Sequence, residues 1–182
     1  MNRRCPNCHS ENDVNSKIHF CKNCGNLLFP QKFIDLGLSV LWSDSYYQDN
    51  YIEGNTFFTY QEALTLSKNN RVNWSLPTED QCKELKKNCK WELLQINNKF
   101  YYNVKGRNGN SIILPLAGYI EANRIRPTEM NTSGYFWCYS FGDQESIFKF
   151  ERGFLGGKGI YYFSTAWIKN LPLACIRPIQ KK

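Results

Sequence analysis

The sequence predicts an α+β fold in two parts: a small metal-clasped segment over residues 1–29 and a strand-rich domain with two helices over residues 30–182. Three observations predict it. Two Cys-x2-Cys pairs stand close together near the start, two Thr-led capping boxes announce helices, and from Phe33 onward apolar residues mostly recur at every second position, the period of a strand. The composition agrees with a folded chain. Of 182 residues, 42% are hydrophobic and 15% aromatic, well above what a charge-dominated disordered segment carries. No run approaches the roughly 20 apolar residues of a membrane-spanning helix.

The first element is Cys5-Pro-Asn-Cys8 followed by Cys21-Lys-Asn-Cys24-Gly25. Two such knuckles bring four thiolates to the corners of a tetrahedron at about 2.3 Å from Zn2+, which predicts one zinc ion held by Cys5, Cys8, Cys21 and Cys24. Four protein ligands close the coordination shell, so the metal is expected to be structural. Four thiolates around a divalent ion leave net negative charge, which Arg3, Arg4, Lys17 and Lys22 are placed to offset. Gly25 suits the tight turn after the second knuckle, and His9 and His19 are not needed as ligands. The segment resembles the short zinc ribbons found at the N-termini of many bacterial proteins, with Phe20 before the second knuckle and Leu27-Leu28 after it. That resemblance covers residues 3–28 and identifies a type of module rather than a task.

Residues 29–33 form a short connector with no Gly/Ser tract, so the ribbon is expected to sit close to the next domain. There the alternation predicts strands over 39–43, 100–105, 110–114, 116–121, 134–141, 146–151, 160–163 and 173–177, with Asn108-Gly109 as a hairpin turn. Thr59-Tyr-Gln-Glu62 and Thr78-Glu-Asp-Gln81 open the two helices. In the second, Glu79 and Asp80 lie in the first turn and Lys86, Lys87 and Lys90 near the end, complementing the helix dipole. Cys82, Leu85 and Cys89 form its core-facing stripe.

An ordered set of residues carries a second resemblance. It runs from Phe33-Ile-Asp-Leu-Gly-Leu-Ser-Val-Leu-Trp42 through Trp74-Ser-Leu-Pro-Thr-Glu79, Glu84-Leu85 and Cys89-Lys-Trp91. It continues with Gly106-Arg-Asn-Gly-Asn-Ser-Ile-Ile-Leu-Pro115, Ala117-Gly-Tyr119, Gly134-Tyr-Phe-Trp137 and Ile176-Arg-Pro-Ile179. Together these resemble the Fibrobacter succinogenes major paralogous domain, a family common in Bacteroidetes, over about residues 33–179. The resemblance implies a C-type-lectin-like fold related to the formylglycine-generating-enzyme type. In that fold the first and last strands pair, two helices flank the sheet, and a loop-rich C-terminal half presents a binding surface. The chain departs from both functional branches of the fold. Glu-Pro-Asn, Gln-Pro-Asp and Trp-Asn-Asp, the calcium-dependent sugar-binding tripeptides, are absent, so no calcium is expected. The only late cysteines, Cys138 and Cys175, lie in apolar stretches, where burial raises a thiol pKa and makes the group inert.

Other chemistry finds little purchase. No histidine follows the ribbon, so the commonest general base is missing from the larger domain. Glu53, Glu62, Glu79 and Asp80 are scattered or cap helices. Gly153-Phe-Leu-Gly-Gly-Lys-Gly159 lacks the Ser/Thr and the following helix of a phosphate loop. No enzyme activity is therefore expected. The aromatic-rich stretch from Gly134 to Trp167 exceeds what one core face can take, because successive strand residues point to opposite sides. Tyr139, Phe141, Tyr161 and Trp167 are accordingly candidate exposed anchors of a ligand-binding surface; packing on the ribbon or into a second small core is the alternative.

The expected function is a non-enzymatic binding or adaptor protein that recognises another protein. Residues 1–32 carry five Lys/Arg against two acidic residues, within a net charge of +7 for the whole chain. The alternative is therefore a nucleic-acid-associated factor that contacts phosphates through Arg3, Arg4, Lys17 and Lys22. No apolar segment follows the N-terminal arginines, so a cytoplasmic location without a signal peptide or membrane partner is expected, and the sequons at Asn73 and Asn131 carry no weight.

Overall fold

A computed structural model describes residues 2–5, 8–13, 23, 32–47, 57–69, 73–121, 124, 126–139, 145–153, 161–163 and 174–182. Its first element is a hairpin, β1 (Asn2–Arg4) paired antiparallel with β2 (Glu11–Asp13), in which Arg4 lies opposite Glu11. Next come β3 (Phe33–Asp35), β4 (Val40–Ser43), α1 (Tyr60–Asn69), β5 (Trp74–Ser75) and α2 (Glu79–Asn88). A meander of β6 (Lys90–Ile96), β7 (Lys99–Lys105) and β8 (Ser111–Pro115) follows. The chain then forms β9 (Ser133–Tyr139), β10 (Glu145–Glu151) and β11 (Tyr161–Phe163), ending in β12 (Ile179–Lys181). The described residues are thus α+β and rich in strand, arranged as small antiparallel sheets.

Both helices begin where their sequences predict. Thr59 and Glu62 satisfy each other's backbone N–H groups, Glu62 Oε2 accepting from Thr59 N at 2.8 Å and Thr59 Oγ1 from Glu62 N at 3.2 Å. Thr78 and Gln81 repeat the arrangement at 2.8 and 3.2 Å. Cys82 and Leu85 are fully buried, while Cys89 caps the C-terminus of α2 and packs against the core from the half-buried position.

The β7–β8 hairpin turns at Asn108-Gly109 as its sequence requires. Gly109 has φ +90°, a conformation that L side chains rarely adopt, and Asn108 and Asn110 both donate side-chain N–H groups to the Asp35 carbonyl at 2.8 Å. That pair of bonds fastens the turn to the end of β3.

Two expected strands are not strands. Residues 116–121 make only isolated bridges, Gly118 with Gly134 and Tyr119 with Thr128. Residues 174–178 divide their backbone among four partners: Ala174 bonds Phe58 in both directions, Cys175 O accepts from Trp137 N, Ile176 O from Tyr47 N, and Pro178 O from Ser43 N. A segment whose partners change every residue or two cannot form a ladder. The last strand begins instead at Ile179 and lies between β4 and β5, in a sheet of order β3-β4-β12-β5. The beginning and the end of the larger domain therefore share one sheet.

The β9–β10 pair is buried on both faces. Phe136 and Cys138 of β9 join Phe148 and Phe150 of β10 in one core with Trp42, Leu85, Val104 and Leu114. Tyr135 and Trp137 join Ile147 in a second core with Tyr60, Trp74, Leu76 and Ile176. Alternation thus sends successive aromatics into two cores. This double burial absorbs most of the described aromatic surplus after Gly134. At Gly134 itself the Phe150 ring lies across the backbone, and an added Cβ would fall 2.1 Å from Phe150 Cζ. Gly134→Ala is expected to destabilise the protein by about 1–3 kcal/mol through overpacking, read as a lower urea midpoint; an unchanged midpoint would show that Phe150 swings away freely.

Candidate functional site

The N-terminal knuckle has a definite shape. Cys5 N donates to Ser10 O at 2.9 Å and His9 N to Cys5 O at 3.0 Å, closing a tight turn around Cys5 to Ser10. His9, directly after Cys8, has φ +58°, the backbone conformation for which Gly25 is suited in the same place after the second knuckle. Cys5 is fully buried, and Cys8 Sγ lies 3.0 Å from Ser10 Oγ. Asn23, between Cys21 and Cys24 in sequence, donates Nδ2–H to Cys8 Sγ at 3.6 Å. The Asn23 amide aimed at Cys8 Sγ would suit a thiolate there, and among the described residues no group of three or more His, Cys, Asp or Glu is placed to hold a metal ion. Cys21, Cys24, Lys17 and Lys22 lie outside the described residues. Arg4 pairs across the hairpin with Glu11 at 3.9 Å, so its charge is shared within the β1–β2 arm.

Of the four aromatic anchors expected from sequence, Phe141 and Trp167 lie outside the described residues, and Tyr161 is described through its backbone pairing with Phe150 in β11–β10. Tyr139 does not take the exposed position expected of it. It is half-buried against the second core, its N–H donates to Pro77 O at 2.9 Å, and its hydroxyl lies 3.2 Å from Ser67 Oγ on α1. Tyr139 follows Tyr135 and Trp137 on the same side of β9, which carries it into the second core.

Ser67 also forms part of a cleft that no motif announces. The cleft occupies about 330 Å3 where the end of α1, the edge strand β5 and β12 meet, and it is lined by Ser67, Lys68, Asn73, Trp74, Ser75, Gln180 and Lys181. All of these residues except Asn73 belong to a helix or a strand. Trp74 packs against the Tyr47 ring at 5.1 Å, and Gln180 lies opposite Trp74 in the β5–β12 pairing.

A third grouping is electrostatic. Lys149 of β10 is 8% exposed, and its ammonium lies 3.4 Å from Glu129 and in contact with Glu151. The Tyr135 hydroxyl donates to Glu129 Oε2 at 2.5 Å, and Lys149 Nζ stands 5.2 Å from the Tyr135 ring centre. Burial works against a charged Glu129, but the Tyr135 hydroxyl and the Lys149 ammonium outweigh it and hold the carboxyl below its ordinary value of 4.5. Burial first, then the Glu129 carboxylate, pushes the Tyr135 phenol far up, so it stays a donor. Glu129 itself has φ +57°, a conformation that surrounding contacts must maintain.

A carboxyl whose folded-state pKa lies below its unfolded value contributes stability above that unfolded value and loses it as pH falls through the folded one. The stability difference between wild type and Glu129→Gln should therefore shrink as pH drops below about 4.5. Urea titrations at a series of acid pH values check this, and a difference that stays constant through the acid range contradicts it.

Three of the four cysteines of the larger domain are shielded, and Cys89 is half-buried. Cys82, Cys138 and Cys175 are fully buried. Burial, and then a hydrogen bond with Cys138, pushes the Cys82 thiol well above its ordinary value, and Cys89 is pushed up to about 11 by burial and then by Glu84. Protonated thiols at these two places are poor nucleophiles. No helix among the described residues is long and apolar enough to cross a membrane.

Comparison with known proteins finds no family model, no curated protein and no solved structure that matches this chain.

Proposed function

We propose that the chain is a binding adaptor without enzyme activity: a ribbon clasped by one structural zinc ion, carried on a C-type-lectin-like domain that recognises another protein. The observation that carries this reading is the Cys5 to Ser10 turn, with Asn23 reaching Cys8 Sγ from between the second pair of cysteines. Cys5, Cys8, Cys21 and Cys24 would hold the ion. Bound there it supplies structural cross-linking, since four thiolates leave no position for water or substrate. The lectin-like part is supported by the sheet that joins the start and end of the larger domain, by α1 against its edge strand β5 and α2 against β9 and β10, and by the isolated bridges at Gly118, Tyr119, Ala174 and Cys175. With Tyr139 committed to packing, the recognition face rests on Phe141, Tyr161 and Trp167.

Partner retention tests this reading. A protein captured from the native cytoplasm and identified by mass spectrometry should stay bound as salt is raised and should be lost with Phe141→Ala or Trp167→Ala. Contact with phosphates through Arg3, Arg4, Lys17 and Lys22 instead predicts a nucleic-acid partner whose binding falls steeply with salt. That second outcome would replace the adaptor reading.

A further inference from the structure

The cleft between α1, β5 and β12 has a one-sided chemistry. Two of its seven lining residues are lysines, Lys68 from the last turn of the helix and Lys181 from the last strand, and none is acidic among the described residues. Ser67, Ser75, Asn73 and Gln180 supply hydroxyl and amide groups able to donate or accept, and Trp74 supplies an aromatic wall. The parts differ in mobility. Ser67 is braced by the Tyr139 hydroxyl, Trp74 by the Tyr47 ring, and Gln180 by its place between β4 and β5, whereas Lys68 and Lys181 are exposed arms on flexible stems. A rigid polar floor beneath two adjustable cations suits a ligand with an anionic head and a hydrogen-bonding body. The residues come from three segments of chain, and only the fold brings them together.

We propose that this cleft binds a small organic oxyanion, a carboxylate or phosphomonoester carried on a compact hydroxylated body. Its volume of about 330 Å3 lies near the lower end of the range for small-molecule sites, which limits the ligand to about the size of a monosaccharide. Lys68 and Lys181 meet the anion, and the hydroxyl and amide groups meet the body. Inorganic phosphate satisfies only the lysines and an uncharged sugar only the floor, so each should bind more weakly than a molecule that has both parts. The proposal does not depend on the zinc clasp or on the protein partner.

The test uses the full zinc-loaded chain, with inorganic phosphate, glucuronate, glucose 6-phosphate and glucose as probes, followed by calorimetry and by the indole N–H signal of Trp74, assigned with Trp74→Phe. At least one of the two organic anions is expected to bind on the order of tenfold more tightly than both inorganic phosphate and glucose, and to shift the Trp74 signal. A charge-assisted hydrogen bond corresponds to on the order of a tenfold change in affinity, so Lys68→Gln and Lys181→Gln should each weaken binding by about that factor. Whether glucuronate or glucose 6-phosphate is preferred distinguishes a carboxylate from a phosphate ligand. The proposal is overturned if no probe binds, if glucose or inorganic phosphate binds as well as the organic anions, or if both lysine variants retain wild-type affinity. Binding that leaves the Trp74 signal unmoved overturns it as well, because the anion would then lie elsewhere.

Discussion

Phe136→Ala is expected to lower the unfolding free energy by about 3–5 kcal/mol, the range for a fully buried aromatic cut back to a methyl group. Phe136 is 0% exposed and stands where several parts of the fold converge. Its ring contacts Phe148 at 5.1 Å, Trp42 at 6.1 Å, Phe150 at 6.2 Å and Tyr46 at 6.5 Å between centroids. Its backbone bridges Cys175 of the returning chain. Truncation therefore removes apolar burial and also leaves a space walled by side chains from β4, β10 and the segment after β4, which cannot all close in at once. Phe136→Leu retains most of the volume and should cost clearly less. Urea unfolding checks both variants: a reduced midpoint with an unchanged slope is the expected result, and a loss under 1.5 kcal/mol for the alanine variant would mean that the core closes around the gap.

Lys149→Ala is expected to cost about 2–3 kcal/mol. Breaking a buried ion pair by removing one partner costs about 3–5 kcal/mol when the remaining charge stays dry. Here Glu129 and Glu151 retain 32% and 27% side-chain exposure, so water recovers part of that loss. Two carboxylates that shared one ammonium would then face each other without it, and the Glu129 backbone, at positive φ, would lose one of its restraints. The effect should depend on those acids. In a Glu129→Gln, Glu151→Gln background the same Lys149→Ala change should cost markedly less, since the repulsion it exposes is already gone. Equal costs in the two backgrounds would make Lys149 a packing residue whose charge is incidental.

The parts of this structure that could be read in advance are those specified by neighbours in sequence. A capping box needs only residues three apart, so Thr59 with Glu62 and Thr78 with Gln81 marked both helices. The Asn108-Gly109 turn and the alternating strands around it are equally local. The β6 strand was hidden because Trp91, Leu93, Leu94 and Ile96 put apolar groups on both of its faces, and as an edge strand it leaves Leu93 39% and Ile96 50% exposed. The run from Ser133 to Tyr139 illustrates the opposite ambiguity. Its near-continuous aromatic character signals either a surface with apolar residues to spare or a strand buried on both sides, and only the presence of a second core decides between them.

The candidate sites divide along the same line. Four cysteines within twenty residues are visible as a motif; of them Cys5 and Cys8 lie among the described residues, and Cys21 and Cys24 lie outside them. Sequence leaves Tyr139 open between an exposed anchor and a second small core, because its contacts with Ser67 and Pro77 come from more than sixty residues away in the chain. The cleft had no signature at all. Lys68 and Lys181 stand far apart in the chain, and they line one cleft only because β12 inserts next to β5. Lys149 was inconspicuous for a similar reason: the strand pattern shows a lysine between two phenylalanines, but not the Glu129 that turns back onto it.

Metal content tests the adaptor reading most directly, because under that proposal a saturated four-thiolate ion would make the N-terminal segment a clasp rather than a reactive centre. Carefully prepared wild type should contain one zinc per chain, and Cys5→Ser or Cys21→Ser should lose it while the larger domain keeps its cooperative unfolding. Cobalt put in place of zinc should show the strong visible absorption of a tetrahedral thiolate site, unchanged by added anions. Substoichiometric zinc in wild type, or a cobalt spectrum that shifts when an anion enters the coordination shell, would contradict the account.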